Sequence, residues 1–154
     1  MNATGIPVLP FEATMLRPIL IGGTLAGTFD LAVALLIAGR NVPRGIAGGL
    51  LGKSALQGGL GIWVLGIVLH YVIALCAAAI YCQASRRLAF LNEHWFVSGL
   101  FFGIGVYLVM NLIVLPLSAL HTMGPYNHRT LVGGILIHML FVGLPISFCL
   151  HKLT

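Results

Sequence analysis

The stretch Gly66-Ile-Val-Leu-His70-Tyr-Val-Ile-Ala-Leu75 decides how the chain is read. It sets one ionisable imidazole in an apolar run from about Gly61 to Cys82, and roughly 20 such residues cross the hydrocarbon core of a bilayer as a helix. No alternation of polar and apolar positions marks a strand, so the run predicts a membrane-spanning helix. A second run, Gly134-Ile-Leu-Ile-His138-Met-Leu-Phe-Val-Gly-Leu144, repeats the spacing from glycine to histidine. Whatever His70 does in the bilayer, His138 is placed to share.

Composition agrees with a bilayer protein. Of 154 residues, 59% are hydrophobic and 7% are charged, against roughly 25% charged in a soluble domain. Too few polar side chains exist to cover a water-facing surface, and the length suits one domain. The eight Lys and Arg are scattered and form no stripe, so the basic excess reads as loop anchors at lipid headgroups and not as a nucleic-acid footprint. Cys76, Cys82 and Cys149 show neither CxxC nor CxxCH spacing. That pattern gives no disulfide framework, zinc knuckle or covalent haem attachment, and the three read as small packing residues.

Outward from His70, four spans are expected, at residues 18–39, 61–82, 96–119 and 130–150. Residues 1–17 lack a basic n-region and a small-residue cleavage site, which argues against a removable signal peptide and for a short interfacial tail. Trp63 and Tyr81 stand near the two ends of the second span, where interfacial aromatics are enriched. Pro116 and Pro145 remove backbone donors and free the carbonyls of Leu112 and Phe141. Gly124-Pro125 and Asn127 mark a turn between the last two spans. The segment between the first two spans is too polar to cross. Over residues 44–57, apolar positions at helical spacing predict a short helix lying in the interface, with Arg40, Arg44 and Lys53 turned toward headgroups. Its glycines, with Lys53 and Ser54, fail the spacing of a phosphate-binding loop.

Two comparisons give an architecture. Spans one and three each carry GxxxG (Gly23 to Gly27, Gly99 to Gly103), and spans two and four each carry GxxxH. The expected fold is a four-transmembrane-helix bundle built as two tandem hairpin repeats, related by an axis along the membrane normal. Counting inward from the loops at residues 40–60 and 120–130, at about 1.5 Å per residue, places one polar residue of each span about 10–14 Å deep. These are Asp30, His70, Asn111 and His138. An acid in a spanning helix costs about 2.5–3.5 kcal/mol even on the lenient insertion scale, so such residues face the bundle interior and pair.

Three roles suit this layer. The side chains can fix helix register by hydrogen bonding, as in a structural accessory subunit without chemistry. They can carry protons or a small solute, because hydrocarbon disfavours an ionised carboxyl and an imidazole readily exchanges protons near neutrality. Alternatively, His70 and His138 can ligate a b-type haem, or join Asp30 around a single metal ion. The serines lack a nucleophile elbow, so nothing marks a hydrolase.

The strings Gly22-Gly-Thr-Leu-Ala-Gly-Thr-Phe-Asp30, Ile46-Ala-Gly-Gly-Leu-Leu-Gly-Lys-Ser-Ala55, Leu69-His-Tyr-Val-Ile-Ala74, Tyr107-Leu-Val-Met-Asn-Leu-Ile-Val-Leu-Pro-Leu-Ser118 and Ile137-His-Met-Leu-Phe-Val-Gly-Leu-Pro145 resemble those of a family of small uncharacterised bacterial inner-membrane proteins with four predicted transmembrane helices. The resemblance covers most of the chain. It implies the bacterial cytoplasmic membrane and the same polar position in each span, and it brings no activity, cofactor or ligand.

Orientation is balanced by count, with Arg17, Arg86, Arg87 and Lys152 on one face and Arg40, Arg44, Lys53 and Arg129 on the other. The compact pair Arg86-Arg87 follows a span directly, which favours cytoplasmic termini. Glycine-rich spans also predict close packing, including self-association or insertion into a larger membrane complex.

Overall fold

The computed structural model describes residues 11–122 and 127–154, with side chains from residue 15 onward. The expected tail before residue 11 and the Gly124-Pro125 turn lie outside the described residues. Among those described there are no strands. The chain forms α1 (Phe11–Ala38), α2 (Val42–Leu51), α3 (Leu60–Ser85), α4 (Trp95–Leu117) and α5 (His128–Leu153). A tight turn at Lys53–Gln57 joins α2 to α3, and one helical turn at Phe90–Glu93 precedes α4. All but α2 are long and apolar enough to cross a membrane, as an all-α four-helix bundle requires. Helix α1 begins at Phe11 and not at residue 18, running straight through Pro18. That proline forfeits one ladder bond, but its ring is fully buried.

The outer surface is oily, with Leu36 85% and Leu117 79% exposed. Contiguous apolar surface of this kind belongs against lipid. Because lipid tails are as apolar as leucine, hydrophobic burial cannot hold the helices together, and close backbone approach takes over. Glycines supply it. A Cβ added at Gly23 would meet the Leu75 Cα at 3.0 Å, and one at Gly27 the Ala74 Cβ at 3.1 Å, so the first GxxxG seats α1 on α3. At Gly99 it would run into the Ser147 hydroxyl, and at Gly103 into the His138 carbonyl and the Met139 Cα at 2.6 Å, so the second GxxxG seats α4 on α5. The tandem hairpins therefore use matched devices. In each, the second glycine of the GxxxG lies opposite the histidine turn of its partner helix.

Helix α1 also packs on α5, through Gly22 against Ile146 and Cys149. The lateral order is consequently α3, α1, α5, α4. Helices α3 and α4 meet mainly near the face that carries the 85–95 connection, here the A face. There Tyr81 and Phe102 stack with ring centroids 4.8 Å apart and the Tyr81 hydroxyl donates to the Leu91 carbonyl at 2.9 Å. A buried cluster of Ala26, Ala78, Tyr81, Cys82, Val142, Ile146 and Leu150 fills that end. Toward the opposite B face, α3 and α4 splay apart.

Helix α2 bridges the splayed ends. A Cβ at Gly66 would collide with the Pro43 carbonyl, so α2 lies directly on α3. On its other side the Ala119 amide donates to the Gly49 carbonyl at 2.8 Å, and Gly48 sits under Leu120. Arg44 fastens the start of α2, donating to the Gly58 carbonyl and the Asn41 side chain, both at 2.7 Å. The Trp63 indole donates to the Arg40 carbonyl at 2.9 Å. Of the three residues expected to turn toward headgroups, Arg40 and Lys53 are exposed, whereas Arg44 is half-buried with its guanidinium spent on the Gly58 and Asn41 bonds.

Candidate functional site

Between the A-face cluster and α2, the gap separating α3 from α4 is a cavity of about 280 Å³. Helices α1 and α5 form its floor, and α2 roofs it with Val42, Gly45, Ile46 and Gly49. The walls are mostly apolar. Among the described residues, the side chains with a polar group that line it are Asp30, His70, Ser118 and His138.

Each comes from a different spanning helix or its end. Asp30 is the one acid within the four spans. Its Oδ2 lies 3.9 Å from the His70 Nε2, and both side chains are largely buried. That nitrogen is 2.9 Å from the Gly27 carbonyl oxygen. A carbonyl only accepts, so His70 holds its proton on Nε2 and, when neutral, a lone pair on Nδ1. The small Gly27 lets the ring approach, since any side chain there would press on Tyr71 and Ala74. Tyr71 is itself tied to α1 by a 3.0 Å contact between its hydroxyl and that of Thr28.

His138 repeats the arrangement within one helix. Its Nδ1 is 2.9 Å from the Gly134 carbonyl one turn back, which leaves Nε2 with the lone pair when the ring is neutral. The helix widens to π geometry over His138–Gly143, just before Pro145, and α4 does so over Met110–Val114, just before Pro116. Wide turns of this kind re-aim side chains and are frequent at functional sites. The expected freeing of carbonyls by the two prolines thus takes the form of a π-bulge in each helix.

No family model, curated protein or solved structure matches this chain. The chemistry of the cavity therefore rests on its own atoms.

The polar layer is only partly one site. Asp30, His70 and His138 line the same cavity, but Asn111 is absent from its lining. Its amide donates to the Tyr107 carbonyl of its own helix at 2.9 Å, where the π-bulge begins. Equal depth placed it in the layer; rotation around the helix did not. Ser118, which the sequence reading passed over, takes its place at the B-face end of α4, and its spacing after Pro116 was the available signal. Tyr107 was also missed. It packs over Gly134 and edge-on to His138 at 5.3 Å between centroids, and its buried hydroxyl has no hydrogen-bond partner among the described residues.

The metal reading fits this geometry poorly. Among the described residues no group of three His, Cys, Asp or Glu side chains is gathered to hold an ion, so His70, His138 and Asp30 do not form a two-histidine, one-carboxylate site. The physical reason is local. Each imidazole gives one ring N–H to a backbone carbonyl and keeps one nitrogen free, Nδ1 of His70 and Nε2 of His138, which is the usual support of a ligating histidine, so what is lacking is the gathering of a third ligand and not a free nitrogen.

Proposed function

We propose that the protein is a proton-coupled carrier of a small solute, one of the small four-helix proteins of the bacterial inner membrane. The observation that carries this reading is the single intramembrane carboxyl, Asp30, placed 3.9 Å from His70 on the wall of a mid-bundle cavity. A register-fixing polar contact would need no cavity beside it. Intramembrane ionisable pairs of this kind mark proton relays in pumps and transporters.

The residues support a simple cycle. An added proton enters at the lone pair of His70 Nδ1, and the Nε2 proton then moves to Asp30 Oδ2 after a side-chain shift of about 1 Å, enough to reach charge-assisted hydrogen-bond distance. The acid then holds a neutral form suited to hydrocarbon. Solute occupying the cavity changes that balance, and by linkage the proton changes solute affinity equally. Access at the B face runs past α2, whose two ends are left-handed glycines, Gly39 at φ +83° and Gly52 at φ +81°. Only glycine adopts such angles without strain, so these two residues set the turns that lead into and out of the segment.

In proteoliposomes with an imposed pH gradient, the native protein is expected to dissipate the gradient in step with solute entry, and Asp30→Asn to slow that flux by about tenfold or more. Folded Asp30→Asn protein with native flux would sink the proposal. Haem or metal chemistry would instead predict a chromophore or bound ion lost in both His70→Ala and His138→Ala.

Orientation belongs to the same proposal, with both termini cytoplasmic. After removal of the native thiols, Asn127→Cys is expected to react with a membrane-impermeant maleimide in intact cells and Asn92→Cys to stay protected. The opposite labelling pattern would reverse the protein in the membrane.

A further inference from the structure

Resting on the carrier reading, we infer that the ligand of this cavity is a primary ammonium carried on a compact apolar body. The argument is an inventory of protons. His70 commits its Nε2 proton to Gly27, His138 commits its Nδ1 proton to Gly134, and Ser118 commits its hydroxyl proton to the Leu115 carbonyl at 2.7 Å. Every polar side chain on the wall, with both rings neutral, has spent its donor on backbone. What remains toward the cavity is acceptors: the Asp30 carboxylate, a lone pair on each imidazole and the Ser118 lone pair not taken by the Leu120 amide.

The carboxylate is the least satisfied of these. Among the described residues no donor is hydrogen-bonded to it, and His70 stands at 3.9 Å with its proton turned to a carbonyl. A carboxylate on a mostly apolar wall with no donor bound to it is the natural seat for a donating cation. No Lys or Arg lines the cavity, which leaves an anion nothing to pair with. The rest of the wall, including Ile73, Ala77, Val106 and Met110 at the gap between α3 and α4, suits a hydrocarbon body. The volume of about 280 Å³ limits that body to a small molecule.

Proton and ammonium then compete for one carboxylate, which is the coupling a carrier needs. Among the described residues, the titratable groups that share the cavity with Asp30 are His70 from α3 and His138 from α5, and α2 and α4 present no charged side chain to it.

The test is equilibrium binding to the intact protein in phosphatidylcholine nanodiscs, corrected with empty discs. The probes share one chain: hexylamine, hexyltrimethylammonium, hexanol and hexanoate. Hexylamine is expected to bind saturably and to weaken about tenfold or more in Asp30→Asn. Hexyltrimethylammonium, a cation without N–H donors, should bind less tightly. Saturable hexanoate binding, or hexylamine binding indifferent to Asp30→Asn, overturns the inference. Should Asp30→Asn not fold, the order of the four probes on the native protein still decides. Repeating the titration in phosphatidylethanolamine discs separates the sources. Undiminished affinity assigns the site to a free amine, and competition assigns it to a lipid ammonium headgroup. Binding here needs no gradient, so an amine that binds without being transported refutes the carrier alone, whereas proton-coupled flux of an acidic solute refutes the ammonium alone.

Discussion

Gly143→Ala is expected to disrupt the second hairpin, destabilising the protein by about 3 kcal/mol or more, the upper end for overpacking. A Cβ at this position would fall on the Gly99 carbonyl oxygen and 2.7 Å from the Gly103 amide nitrogen. Both are backbone atoms of α4, a helix held by its own ladder, so neither can rotate away as the tip of a side chain would. The only relief is separation of α4 from α5, and that separation undoes the contacts of Gly99 with Ser147 and of Gly103 with His138 in one step. Total stabilities of folded domains are only about 5–15 kcal/mol, so the variant should also accumulate poorly. Gly105→Ala is the control. It lies on α4, the helix that Gly143 meets, with nothing within 4 Å, and alanine is the better helix former. Thermal unfolding in detergent reads both variants, and equal midpoints would show that α4 and α5 are not held by this approach.

These contacts explain what could and could not be read from the chain. The spans were legible because lipid imposes length and apolarity on any helix that crosses it. The glycine spacing was legible too, because in lipid small residues are the means of association. Rotation was not. A count of residues along a helix gives depth, but the direction of a side chain depends on the cumulative turn, and the π-bulge at Met110–Val114 changes that turn just where Asn111 sits. The Asp30 and His70 pairing was half visible, since depth and face both agreed, whereas the Gly27 carbonyl that fixes the His70 tautomer is a backbone atom with no mark in the sequence. The early start of α1 was hidden for another reason. Proline at position 18 reads as a first helical residue, and only burial on neighbouring helices lets the helix continue through it.

Locking α2 across the cavity mouth is expected to stop solute exchange. Position 49 on α2 faces the end of α4 closely enough that a Cβ added at Gly49 lies 3.7 Å from the Ser118 Cβ, within the roughly 3.5–4.5 Å that natural disulfides span. The pair Gly49→Cys and Ser118→Cys should therefore oxidise without moving the backbone, in a protein whose native Cys76, Cys82 and Cys149 have been replaced. On its α4 side the helix is held by the bond from the Ala119 amide to the Gly49 carbonyl and the packing of Leu120 on Gly48, while Pro43 against Gly66 and Arg44 on Gly58 keep its start on α3. On the carrier reading the α4 side is the one that opens. Lids of this type open on microsecond to millisecond timescales, and a covalent staple removes the motion, so flux in the oxidised protein should fall about a hundredfold or more and return with dithiothreitol. Comparing one protein before and after reduction cancels any effect of replacing Ser118 itself. Unchanged exchange in the oxidised state would mean that α2 is a fixed roof and that solute enters sideways from the bilayer, through the gap between α3 and α4.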